Sequence, residues 1–173
     1  MIAQAANIEK KILDIKYGRV LVGLKMDIPD IDEYIRFKPA NFNLLIGHAN
    51  VGKTTIITYL FTVWAMKHDL KFLLWSSENS SSGLVRKIIE FKMGLPIQEA
   101  SDSQINNAVK WCDKHFKIIE VEDLYTYKQL LKQANEIKDA WNYDALLIDP
   151  YNSLAKDHQL LRAVGGHETS QYI

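Results

Sequence analysis

The chain has 173 residues, a length that suits one domain, and at 47% hydrophobic it can bury a sizeable core. Lysine plus arginine and aspartate plus glutamate each total 21, so the formal charge is zero and no global positive field draws the chain to nucleic acid. The single cysteine, Cys112, excludes an intramolecular disulfide and suits a reducing cytoplasm, and no apolar run approaches the roughly 18 residues of a membrane span.

Met1 to Lys11 lacks the charged start and apolar stretch of a signal peptide. Residues 1–40 read as a mixed lead-in segment. Ile8 to Ile15 suits a short helix and Val20 to Leu24 a short strand. Pro29 to Ile35 reads as a turn entering a short helix, with acids in the first turn where the helix dipole favours them. Residues 41–173 read as the core. Phe42 to Ile46 is a short apolar run, the pattern of a buried strand. Thr54 to His68 is a helix that is apolar almost all round and therefore buried on most sides. Phe72 to Trp75 is a second buried strand. Ser82 to Met93 is a helix stopped by Gly94 and followed by Pro96. Ser103 to Lys114 is a helix, Phe116 to Val121 a strand, Thr126 to Trp141 a helix and Ala145 to Ile148 a strand. Strands alternating with helices in this way predict a mainly parallel sheet of βαβ units with helices on both faces. His167 to Ile173 reads as the start of another helix.

Chemistry concentrates between the first two apolar runs. Gly47-His48-Ala49-Asn50-Val51-Gly52-Lys53-Thr54 matches the Walker A pattern in full. Its glycines allow backbone angles that let successive N–H groups point at phosphate oxygens. Lys53 reaches the β- and γ-phosphates, and Thr54 offers its hydroxyl to magnesium. The helix that follows, with Thr55 in its first turn, directs its positive end at the phosphates. ATP and Mg2+ are therefore the expected ligands. Asn50 either touches the γ-phosphate or shapes the turn.

The acids complete the pattern. Ala145 to Ile148 runs into Asp149, the place of a Walker B aspartate that holds magnesium. Hydrolysis also needs a group to orient water, and many such ATPases place a glutamate directly after that aspartate. Pro150 stands there instead. Glu78, just past the second strand at the sheet's carboxyl edge, is the candidate base, with Glu120 and Glu122 as weaker rivals.

A Walker A loop, a glutamate just after the next strand, and a Walker B aspartate with no adjacent glutamate together resemble the RecA/DnaB-type ATPase core. Ser76-Ser77-Glu78-Asn79-Ser80 and Leu147-Ile148-Asp149-Pro150-Tyr151-Asn152 are similar to stretches of replicative helicases and phage primase-helicases of the DnaB and Twinkle kind. The resemblance covers roughly residues 20 to 173. It implies a three-layer α/β P-loop fold and a homo-oligomeric ring with ATP between subunits. It also implies translocation on single-stranded DNA in a bacterial or phage-infected cell. Tyr151 to Gly166 would then lead into a DNA-facing loop, with Lys156, His158 and Arg162 placed to touch phosphates; an ordinary surface role for these three is equally open. Such cores continue into a further strand and an arginine finger, neither of which precedes Ile173. The expectation is a partial core that binds nucleotide and turns it over weakly.

Other classes remain as alternatives: a recombinase-like or regulatory RecA-fold ATPase, a P-loop small-molecule kinase, or a nucleotide-dependent assembly piece. Trp64, Trp75, Trp111 and Trp141 read as packing residues and not as a base-stacking platform. Cys112 reads as an inert buried thiol, and no cluster of protein metal ligands is visible.

Overall fold

The structure is a computed structural model that describes residues 5–18, 22–120 and 126–155. The chain divides into two compact units, Met1–Leu45 and Ile46–Ile173.

The first unit holds helix α1 (Ala5–Lys16) and the single turn α2 (Pro29–Asp32). Its organising group is Asp32, a buried carboxylate with 5% of its surface exposed. Oδ1 accepts from the Met26 N–H at 2.6 Å and Oδ2 from the Ile28 N–H at 3.0 Å. Both oxygens of the buried acid thus have donors, which offsets much of the cost of removing it from water. An isolated antiparallel bridge joins Leu24 to Phe37. Gly23 precedes that bridge with φ 98°, and a Cβ there would meet the Arg36 side chain at 2.8 Å, so only glycine suits the position.

The second unit is built on a parallel sheet of three strands among the described residues: β1 (Phe72–Ser76), β2 (Phe116–Ile119) and β3 (Ala145–Asp149), in the order β2-β1-β3. The central strand β1 is buried along its whole length. Its side chains alternate. Phe72 stacks on Phe61 of α3 (Lys53–His68) with ring centroids 4.1 Å apart. Leu73 and Trp75 face the other way and pack with Leu130 and Ala134 of α6 (Tyr127–Ala140). Helices therefore cover both faces of the sheet. The remaining helices, α4 (Ser81–Met93) and α5 (Asp102–His115), join the α3 side, where Trp111 of α5 approaches Phe116.

Local signals set the helix bounds. Ser80 caps α4 by accepting from the Gly83 N–H, and Gly94 ends it in the left-handed conformation. Ser101 and Thr126 each form a complete capping box, with Gln104 and Gln129 respectively. Asp69, in the left-handed conformation after α3, accepts from Lys114 Nζ at 2.6 Å and faces His115 Nε2 at 2.8 Å. The Lys114 hydrogen bond, followed by that from His115, lowers the Asp69 carboxyl from 3.8 to about 2.

One expected strand is absent. Phe42 to Ile46 forms no strand, and Phe42 is 89% exposed. Leu44, Leu45 and Ile46 are exposed as well. A strand needs a neighbour for its N–H and C=O groups, and among the described residues none pairs with this run. The helix α3 is also less enclosed than its composition suggests: Thr58 to Ala65 holds its buried residues, while Ile56 and Met66 stay exposed. The predicted strand over Val20 to Leu24 and the predicted helix from His167 lie partly or wholly outside the described residues.

Candidate nucleotide site

The Walker A segment lies within the second unit and leads straight into α3. Asn50 takes φ 61° and Gly52 φ 88°, so two of the four residues before Lys53 sit in the left-handed region. Asn50 thus shapes the turn, which asparagine tolerates better than most residues. Gly47 is closely approached: a Cβ there would lie 3.3 Å from Val51 Cγ2 and 3.5 Å from Lys53 Cδ. The loop curls around its own lysine. Lys53 Nζ donates to the carbonyls of Gly47 at 3.0 Å and His48 at 2.7 Å. His48, Ala49 and Val51 are exposed around it.

Thr54, one residue into α3, reaches across the fold. Its Oγ1 donates to Asp149 Oδ2 at 2.6 Å, over a separation of 95 residues. Asp149 ends β3 and is only 9% exposed. The sheet fixes it: Asp149 is the register partner of Ser76, and its carbonyl accepts from the Ser77 N–H at 3.1 Å. A hydroxyl and a carboxylate side by side are hard oxygen donors of the kind Mg2+ takes. No group of three or more histidine, cysteine, aspartate or glutamate side chains forms a metal cage among the described residues. A two-donor site completed by phosphate and water is the form that fits.

Glu78 lies two residues past Ser76 in the bend after β1, exposed to solvent. It lines a cleft of about 220 Å³ with Ser76, Ser77, Asn79, Ser80, Ser81, Ile119 and Glu120. That cleft spans the ends of β1 and β2, whereas Asp149 flanks β1 on its other side. Glu78 and its rival Glu120 therefore share one cleft at the sheet's carboxyl edge. Ser76 Oγ accepts from both the backbone and side-chain amides of Asn79 at 3.2 Å, which ties down the bend that carries Glu78. Glu122, Lys156, His158 and Arg162 lie outside the described residues.

The structure adds one group to those the sequence points to. Lys87 of α4 sets its Nζ 3.5 Å from Thr55 Oγ1, bringing a second cation to the first turn of α3. No short motif marks Lys87; only the packing of α4 on α3 brings it there. Trp64 and Trp75 are core residues, and Trp111 and Trp141 are half-buried. Cys112 is buried, and burial, with the charge of Asp113 adding, pushes its thiol up to about 12, so it stays protonated and unreactive.

Comparison with protein-family models, with curated proteins and with solved structures returns no match. Among the described residues no helix is long and apolar enough to cross a membrane.

Proposed function

We propose that the chain is the ATP-binding and ATP-hydrolysing core of a motor resembling the DnaB and Twinkle helicases. The observation that carries the reading is the Thr54–Asp149 hydrogen bond. It joins the end of a complete Walker A sequence to the last residue of a parallel strand, where α/β sheets bind ligands.

On this reading Lys53 leaves the Gly47 and His48 carbonyls and turns its ammonium to the β- and γ-phosphates. Its present bonds keep a cation at the centre of the loop. The N–H groups of the loop and the first turn of α3 supply further donors. Thr54 and Asp149 would hold Mg2+, which neutralises charge on the phosphates when bound. Glu78 orients the attacking water, and Lys87 adds positive charge beside Thr55. The work coupled to hydrolysis is translocation on single-stranded DNA within a ring of copies. What supports the helicase branch is sequence order: the strand leading to Glu78 lies beside the strand ending in Asp149, and Pro150 occupies the alternative position for a base.

Fluorescent ATP with Mg2+ tests the first step by equilibrium titration. Lys53→Ala should weaken binding by about tenfold to a hundredfold, the range for a lost charge-assisted hydrogen bond. Asp149→Asn should reduce the Mg2+-dependent part. Equal affinity in wild type and Lys53→Ala would remove the loop from nucleotide binding. Glu78→Gln should lower DNA-stimulated hydrolysis by about 10²- to 10⁴-fold while leaving ATP bound.

A further inference from the structure

A cluster of lysine and aromatic side chains stands at the amino-terminal edge of the sheet, opposite the edge that carries Asp149. Lys71 directly precedes β1, Lys117 is the second residue of β2, and Trp141 and Tyr143 lie between α6 and β3. Lys117 is the register partner of Leu73, so it stands on the face of the sheet that packs against α6. There the indole of Trp141 gathers two ammonium groups. Lys117 Nζ lies 4.9 Å and Lys71 Nζ 5.7 Å from its centroid. Lys138 Nζ lies 4.9 Å from the Tyr143 centroid, and the Trp141 and Tyr143 rings are 6.4 Å apart.

These three lysines have no ion-pair partner among the described residues. Lys138 Nζ donates to the Tyr143 carbonyl. Asp144 lies in the same turn, but its Oδ2 accepts the backbone N–H of Lys71 at 2.8 Å. Elsewhere lysine does find carboxylate, as Lys114 does with Asp69. In a chain of zero formal charge, three unpaired ammonium groups around two adjoining rings are a local excess.

We propose that this patch binds a single-stranded oligonucleotide. Lys71 and Lys117 turn from the Trp141 ring to successive phosphates, and a base takes their place on the half-buried indole. The ligand must be polyanionic to meet the lysines and must offer a flat ring to meet the indole. Single strands present both at once. A duplex keeps its bases stacked inside, and an acidic peptide supplies carboxylates without the ring. The five residues of β1, at about 3.3 Å each, separate this site from the Thr54–Asp149 pair, so it stands independently of the nucleotide reading.

Anisotropy of a labelled oligothymidylate of about 12 nucleotides, titrated with the whole chain at several salt concentrations and without ATP, tests the proposal. Binding by wild type should weaken by about tenfold or more in Lys71→Gln/Lys117→Gln. The salt slope should flatten by about one for each lysine taken away from a phosphate. Circular dichroism checks that the double variant is folded. A bromodeoxyuridine strand irradiated on wild type should crosslink at Trp141, which needs no variant. Absence of binding, unchanged affinity in the double variant, or crosslinking only at other residues would overturn the proposal. So would equal affinity for a duplex of the same length, or equal competition by polyglutamate.

Discussion

Phe72 to Trp75 and Phe42 to Ile46 are two short apolar runs of similar composition, each beside a segment of the proposed nucleotide site. One is fully enclosed, with Trp75 only 1% exposed. The other lies in water without a strand. The first has β2 and β3 on its flanks and helices on both faces, so every backbone group and side chain has a neighbour. The second has none of these among the described residues. Apolar composition measures what a segment gains by burial; whether it is buried depends on a partner positioned far away in the chain.

Truncation in each run separates the two environments. Trp75→Ala should cost about 3–5 kcal/mol, because a large side chain leaves a closed core. Phe42→Ala should change stability by less than about 0.5 kcal/mol. Urea melts of the two variants give both numbers, and a comparable loss in each would mean that the second run is buried in solution. Amide exchange sharpens the contrast: residues 73–75 should exchange only with global unfolding, and residues 43–46 freely.

Smaller effects test the frame around β1. Ser101→Ala and Thr126→Ala each remove half of a capping box and should cost about 1 kcal/mol apiece, additively. The smallest effect is electrostatic. The folded-state value of Asp69 lies below its ordinary 3.8, at about 2. Its contribution to stability is therefore complete above pH 3.8 and is lost as the pH falls through about 2. Asp69→Asn should lower stability slightly across the neutral region, where the contribution is complete, and flatten the acid limb, so that the two curves meet as the pH falls through about 2. The side chain is 68% exposed, so added salt should shrink the difference.

Much of the second unit is legible in the sequence because its signals are local. Gly94 stops α4, and Phe72 to Trp75 declares itself by four consecutive apolar residues. Thr54 and Asp149 are legible as chemistry because each belongs to a short motif, and the parallel register then sets them side by side. What sequence did not reveal depends on packing between distant elements. Lys87 approaches Thr55 only because α4 lies on α3. The gathering of Lys71 and Lys117 at Trp141 joins three positions through sheet register. The Asp32 network is short in sequence but uses backbone N–H groups, which any residue supplies. The same limit explains Phe42 to Ile46: an apolar run does not name its neighbour.

The 95-residue separation of Thr54 and Asp149 also sets a clock. On a ribosome adding roughly 5–20 residues per second, the loop and α3 emerge several seconds before the carboxylate that Thr54 will meet. Once β1 is made, both of its flanks are open until β2 follows, and one stays open until β3 is made. Such an unpaired edge is a template for joining another chain. Ala145–Asp149 ends the exposure by pairing with β1, and the same event delivers Asp149 to Thr54. The event that closes the flank of the central strand is therefore the one that brings the hydroxyl–carboxylate pair into being.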